Sequence, residues 1–389
     1  MKLLYIAHAR LPTEKAHGLQ IVKMCEAFAD AGADVTLVAP ARINPIDQDL
    51  FLYYRVTRNF TVRFIPVFNP SLKGGLLGFI IEWISFALSL PFSNIFKESP
   101  YDVIFTRDSI AAFLLSFQHP KVIFEMHAFP ERFRWLWGIV LRRLSGVFST
   151  NQWKMEEMHR RFKISKEKLF FYPNGFDPKL FSAEGGSASG GEITESKEEL
   201  RKTLGLPKGK PIVMYTGHLY GWKGAHILAR AARIISDVNM VFVGGTEKDC
   251  MQFRKEFEHI KNIYIVGHKP HYEIPKFLKS ADILVLPNSA ISEESRTGTS
   301  PLKLFEYMAS GKPIIASDLP SIREVVSEKE VVFVRPDDPR ALAQAIQGLV
   351  HDSERAARIA EAGFEKSKKY TWISRARAML DWMVHKNTK

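Results

Sequence analysis

The sequence predicts an α/β protein made of two doubly wound parallel-sheet (Rossmann-like) domains with a cleft between them. Three observations carry this. At 389 residues the chain is too long for one ordinary core. Short apolar runs alternate with helix-period stretches along the whole length, and that alternation means parallel strands covered on both faces. The scheme runs once, is interrupted by SAEGGSASGGEITESKEE (182–199), and runs again. The Gly/Ser-rich start of that stretch suits a flexible surface linker. The expected domains are 1–180 and 200–370, with a linker at 181–199.

Taken in order, KLLYIAH (2–8) is a strand, and GLQIVKMCEAFADAG (18–32) has apolar residues at helical spacing and stops at Gly32. DVTLVAP (34–40), YDVIFTR (101–107), KVIFEMH (121–127) and GVFST (146–150) are further strands with helical stretches between them. The second half repeats the scheme: PIVMYTG (211–217), a helix at 224–235, NMVFVGG (239–245), a charged helix, NIYIVGH (262–268), ADILVLP (281–287), KPIIAS (312–317) and EVVFVRP (330–336). Within it, TGTSPLKLFEYMASGKP (297–313) marks both ends of a helix. Ser300 suits an N-cap, Pro301 suits the first helical position, residues 302–310 favour helix, and Gly311 ends it. A last helix (374–386) follows KYTW.

Lys plus Arg exceed Asp plus Glu by 12, spread over both halves, which favours anionic partners without the basic tail common in nucleic-acid binders. No nucleic-acid partner is expected. Two cysteines far apart, Cys25 and Cys250, offer neither a disulfide framework nor a zinc spacing, so a reducing, cytoplasmic setting is expected. The N-terminus reads as a first strand rather than a signal peptide. The run LLGFIIEWISFALSLPF (76–92) is apolar but short for a span and contains Glu82. A buried helix, or one lying at a membrane interface, fits it better. FPERFRWLWGIVLRRLSGVF (129–148) mixes Arg with Trp and Phe at partly helical spacing and could dock on anionic lipid at the inner face of a membrane.

Ligands of open α/β sheets sit beyond the carboxyl ends of the strands, so candidate residues should follow strands directly. No G-x-G-x-x-G follows the first strand. GHLYGWKG (217–224) is not a Walker loop, but it sets Gly217, His218 and Lys223 after a strand, where a lysine suits a diphosphate. The helix start at Thr299, Ser300, Pro301 and Leu302 can offer backbone N–H groups to an anion, with Glu306 one turn below. GHKPHYEIP (267–275) could read a base edge with its backbone, with Lys269 a further binding candidate and Tyr272 packing beside it. His127 ends a strand and could donate, orient or act as a base. Arg107, Arg132 and Trp135 are candidates for a second ligand on the first domain. DQD (47–49) has the acidic spacing of a metal-binding pair but sits among turn residues, so neither metal nor other cofactor is expected.

Several motifs in order make a resemblance specific: the segment 11–40, PNGFDPKLF (173–181), YTGHLYGWKG (215–224), ADILVLP, TSPLKLFEYMASGKPIIASDLPSIREVV (299–326) and YTWISRA (370–376). The chain resembles the retaining glycosyltransferases of family four (glycosyl transferases group 1), whose fold is GT-B. The resemblance implies that Gly18 belongs to a loop approaching the donor phosphates and that Lys223 binds them. It implies that the backbone of Thr299, Ser300, Pro301 and Leu302 lies over diphosphate and sugar, that Glu306 binds the ribose, and that His127 lies near the transferred sugar. The final helix (371–389) would cross back onto the first domain. Two departures stand out. His218 replaces the usual arginine, and Gly298 stands where the first glutamate of the E-x7-E motif belongs, with Glu293 and Glu294 nearby but off register. The sugar contact of that carboxylate would then come from elsewhere, such as backbone amides.

The reading that follows is a metal-independent, hexosyl-type transfer from a UDP- or GDP-linked sugar to an acceptor hydroxyl, with retention. The acceptor would be a lipid-linked or cell-envelope glycan. Two readings stay open beside it: a nucleotide-sugar epimerase on the same architecture, and a catalytically silent nucleotide-sugar binder.

Overall fold

The computed structural model describes residues 1–68, 75–95, 100–130, 132–181 and 195–385. The chain forms two compact units, one of residues 1–173 with 372–389 and one of residues 174–371. Each is a doubly wound α/β layer structure whose strands are all parallel.

The first unit carries β1 (Lys2–Ile6), β2 (Asp34–Ala41), β3 (Thr61–Pro66), β4 (Val103–Thr106), β5 (Val122–Met126), β6 (Gly146–Ser149) and β7 (Leu169–Phe171) in the order β3-β2-β1-β4-β5-β6-β7. The expected strands are present, and the structure adds the edges β3 and β7. β3 is mostly exposed and β7 has three residues, so neither carries the continuous apolar run that marks a central strand. Helices α1 (Ala16–Asp30), α2 (Leu50–Tyr54), α3 (Gly75–Ser89), α4 (Ser109–Leu115), α5 (Arg134–Arg143) and α6 (Gln152–Phe162) complete the N-terminal stretch. Phe86 of α3, Leu115 of α4 and Leu141 of α5 share one cluster with Leu4, Ile104 and Phe124, so these three helices cover the same sheet face. On the other face, Phe28 of α1 meets Phe105, and Trp382 of the C-terminal helix (Trp372–His385) meets Phe148.

The second unit has β8 (Ile212–Thr216), β9 (Asn239–Val243), β10 (Ile263–Gly267), β11 (Ile283–Leu286), β12 (Ile314–Ser317) and β13 (Val332–Val334) in the order β10-β9-β8-β11-β12-β13. All six match the expected strands. Its helices include α7 (Lys197–Thr203), α8 (Ala225–Ala231), α9 (Glu247–Phe257), α10 (Ile274–Ser280) and α11 (Leu302–Ala309). Strand order reverses between β8 and β11, which pair directly through Ile283 with Val213 and Leu284 with Met214. That switch point is where a crevice opens at the carboxyl edge of such a sheet.

Three local expectations need correction. The acidic end of the presumed linker is ordered: Ser196 and Glu199 form a reciprocal capping box that starts α7. The preceding 182–194 lie outside the described residues. Pro301 is the extended N-cap of α11 rather than its first helical residue. Ser300 does not cap. Its hydroxyl accepts the Asn174 N–H (3.2 Å) and its carbonyl accepts the Asn174 side-chain amide (2.8 Å). Just before it, Glu294–Gly298 forms one π-helical turn.

Candidate functional site

In the second unit the exits of β8, β10 and β11 gather the charged candidates. Gly217 leaves β8 with φ of 123°, a conformation that favours glycine. His218 stacks on Tyr220 with ring centroids 4.8 Å apart, and its carbonyl accepts the Tyr215 hydroxyl at 2.6 Å. The turn Gly221–Lys223 is pinned to the exit of β11. The Ser289 N–H donates to the Trp222 carbonyl at 3.0 Å, and a Cβ at Gly224 (φ 76°) would overlap the Pro287 carbonyl oxygen. Lys223 is held over the Tyr220 and Trp222 rings, 5.6 and 5.3 Å from their centroids. Burial lowers its ammonium pKa, and burial with the Lys223 charge lowers that of His218.

The switch-point helix α11 adds two ionisable groups to this edge. Glu306 is buried and accepts a hydrogen bond from His271 Nε2 at 2.6 Å. Lys303 is half-buried along its stem, but its Nζ is closed off from solvent, with no hydrogen-bond partner. The π-helical turn before α11 is fastened by hydroxyls: Ser295 donates to the Ser289 carbonyl (2.6 Å), Thr297 to that of Glu293 (2.8 Å), and Thr299 to that of Ser295 (3.3 Å). This turn brings the Glu294 carboxylate over the Cα of Gly298, filling the space into which any side chain at 298 would project. Lys269 follows β10, with Nζ 6.0 Å from the centre of the Phe277 ring.

In the first unit a second constellation forms at the exits of β4 and β5. Glu125 is fully buried inside β5. It accepts from His127 Nε2 at 2.8 Å and from Arg375 of the C-terminal helix, and Arg107 Nε lies 3.8 Å away. Burial would raise the Glu125 carboxyl, but Arg375, His127 and Arg107 outweigh it and hold it well below the usual range. Burial and Arg107 push His127 down to about 4 against the pull of Glu125, so the imidazole is neutral near pH 7. With Nε2–H donated to Glu125, Nδ1 is left as an acceptor. Lys154, buried, donates to the His127 carbonyl. Arg107 Nη1 donates to the His17 carbonyl at 3.4 Å on the first turn of α1, next to Gly18. A Cβ at Gly18 would collide with the Tyr54 hydroxyl, which itself accepts from the Thr13 N–H (2.8 Å) and donates to the Thr13 carbonyl (2.9 Å). Glycine at 18 therefore has a packing reason of its own.

Two family models match in succession: Glycosyltransferase Family 4 over residues 18–180 and Glycosyl transferases group 1 over residues 196–366. The chain belongs to the group 1/family 4 glycosyltransferases. The chain is 30% identical over 160 residues to the teichuronic acid biosynthesis glycosyltransferase TuaC of Bacillus subtilis (strain 168), covering 41% of this chain and 38% of that one. It is 26% identical over 244 residues to the D-inositol 3-phosphate glycosyltransferase of Xylanimonas cellulosilytica, covering 60% of this chain and 55% of the relative. The chain thus spans about half the length of the curated relatives it matches. Among solved structures, Anabaena Alr3699/HepE in complex with UDP superposes with a TM-score of 0.73 at 18% identity, covering 99% of this chain and 100% of that one. The two parallel-sheet domains are those of the GT-B fold.

The structure gathers Gly217, His218, Lys223, Thr299, Ser300, Pro301, Leu302 and Glu306 at the exits of two adjacent strands, with Lys269 at the exit of β10. It gathers His127 and Arg107 in the first unit. Arg132 and Trp135 stand apart at the start of α5, both exposed. Asp49 of the DQD stretch caps α2, accepting from the N–H groups of Phe51 and Leu52, and pairs with Arg58. Among the described residues no group of three His, Cys, Asp or Glu could hold a metal. Sequence reasoning missed four participants: Glu125, Arg375, His271 and Lys303. A carboxylate inside an otherwise apolar strand, FEM, was a readable signal for the first. Nothing in the sequence joins Arg375 to Glu125 across 250 positions.

Proposed function

We propose that the protein transfers a sugar from a UDP- or GDP-linked donor to an acceptor hydroxyl with retention of configuration. The observation that carries this is the set of groups at the switch point of the second unit: the Lys223 turn, the start of α11, and Glu306 held by His271. A diphosphate leaving group develops negative charge, and preorganised cations and helix N–H groups are what stabilise it. Glu306 then accepts the ribose hydroxyls, with His271 fixing its orientation. Glu294 supplies the carboxylate for the donor sugar, since it fills the space above Gly298. HepE has been captured with UDP and with UDP-glucose, which agrees with a uridine donor.

In the first unit His127, neutral and with its tautomer set by Glu125, offers Nδ1 to a sugar hydroxyl. The leaving phosphate can take the acceptor proton, so no separate base is needed. The charge on the diphosphate is met by protein cations, so the reaction as proposed requires no metal.

The acceptor is proposed to be lipid-linked and the protein peripheral on the inner, anionic membrane face. The outward face of α3 is a stripe of Leu77, Ile80, Ile81, Ile84 and Leu88, all exposed. On the same layer α5 exposes Trp135, Leu136 and Ile139, with Arg134, Arg142 and Arg143 also at the surface. An apolar stripe beside arginines suits the headgroup boundary of an anionic bilayer. No helix among the described residues is long and apolar enough to cross a membrane.

The test is a donor screen scored by release of nucleoside diphosphate, with and without chelator, against lipid-linked and soluble glycan acceptors. Acceptor-dependent release with an α-linked product is expected from an α-linked donor. Conversion of donor to another nucleotide sugar without acceptor would show an epimerase instead. No turnover across all acceptors would leave a binding protein.

A further inference from the structure

Lys303 has no structural reason to be a lysine. It is the second residue of α11, and its Nζ lies 3.9 Å from the centre of the Tyr215 ring and 3.0 Å from where a Cβ at Gly217 would sit. The amine is closed off from solvent and makes no hydrogen bond. Burying an ammonium without a partner is costly, and a leucine or methionine there would avoid the cost. The groups around it come from two elements. From β8 and its turn come Tyr215, His218 and Lys223, and from α11 itself comes Glu306. Burial and the Lys223 charge drive the amine pKa well down, and Glu306 only partly opposes them. Lys303 thus stands against the bare backbone of Gly217, beside a helix start and within electrostatic reach of Lys223, and among the described residues no carboxylate is ion-paired to either amine. A site that repels its own cations is completed by an anion.

We propose that Lys303 is the second cation of the nucleoside diphosphate site, acting together with Lys223. This rests on the donor reading above. Its position explains how the site works with His218 where a permanently charged side chain would otherwise stand. It also has a consequence that a solvated lysine lacks. The free amine is depressed, and a phosphate within contact distance restores its affinity for a proton, so nucleoside diphosphate binding takes up a proton. Affinity therefore rises as pH falls toward the amine's lowered pKa, and weakens at alkaline pH.

The experiment is isothermal titration of the full-length protein with UDP and GDP at mildly alkaline pH, in two buffers of different ionisation enthalpy. Wild type should bind one of them with net proton uptake. Lys303→Met should lose about 10- to 100-fold in affinity, the worth of a charge-assisted hydrogen bond, and should lose the uptake. Lys303→Arg should keep part of the affinity but bind without uptake, because guanidinium is already charged. His218→Gln should retain the uptake. Binding by wild type without proton uptake overturns the proposal, as does uptake that survives in Lys303→Arg and vanishes in His218→Gln. Failure of wild type to bind any nucleoside diphosphate would instead overturn the donor reading. Should Lys303→Met melt early without ligand, wild type, Lys303→Arg and His218→Gln still decide the matter.

Discussion

Lys223→Ala removes an anion-stabilising donor and should cut turnover by roughly 10²-fold, whereas Glu306→Ala should chiefly raise the donor KM. Steady-state kinetics on both variants check this, and near-normal values in both would sink the assignment. Arg375→Met strips the fully buried Glu125 of its strongest cation and should cost about 3–5 kcal/mol in denaturant unfolding, because an uncompensated buried charge remains. Gly224→Ala places a methyl against the Pro287 carbonyl in a left-handed conformation, so a loss of ~3 kcal/mol or more is expected, with the Lys223 turn displaced.

Among the elements, α3 and α11 show how far a pattern can be read. The apolar run 76–92 was legible as a helix, and its spacing even held the two faces. Which face met the core was not legible, since both are apolar. Packing turned Phe86 inward and left Ile80, Ile81 and Ile84 outward. Replacing Ile80 and Ile84 with Glu should abolish co-sedimentation with anionic liposomes while leaving the melting temperature nearly unchanged, because both side chains are already exposed. Binding by neither wild type nor variant at low salt would end the membrane reading. Both ends of α11 were readable to within one residue, because Pro301 fixes φ at the start and Gly311 permits the left-handed φ of 66° just past the end. The π-helical turn before it was not, since it depends on Ser295 and Thr297 finding carbonyls after folding.

For the molecule as a whole, acid sensitivity should lie in the first unit. His8, His17 and His127 are lowered by burial to about 3, 4 and 4 from an ordinary 6.5. The unfolded chain takes up these protons first as pH falls, so stability should decline from about pH 6.5 down to about 4, with a further loss at lower pH as Glu125 protonates. Melting temperature followed across this range checks it, and a flat profile would contradict the half-buried, neutral imidazoles.

Alternation of apolar runs with helical stretches was enough to specify two parallel sheets, because a strand covered on both faces must be apolar throughout. It also placed the candidate residues at strand exits, because crossover connections leave no other edge open. Strand order, and with it the meeting of β8 and β11 beside Lys223, came from the packing of the sheet. So did every long-range pair: Glu125 with Arg375, His271 with Glu306, and Lys303 against Gly217. Such pairs form between residues whose separation along the chain carries no trace of their contact, and burial then makes their charges matter.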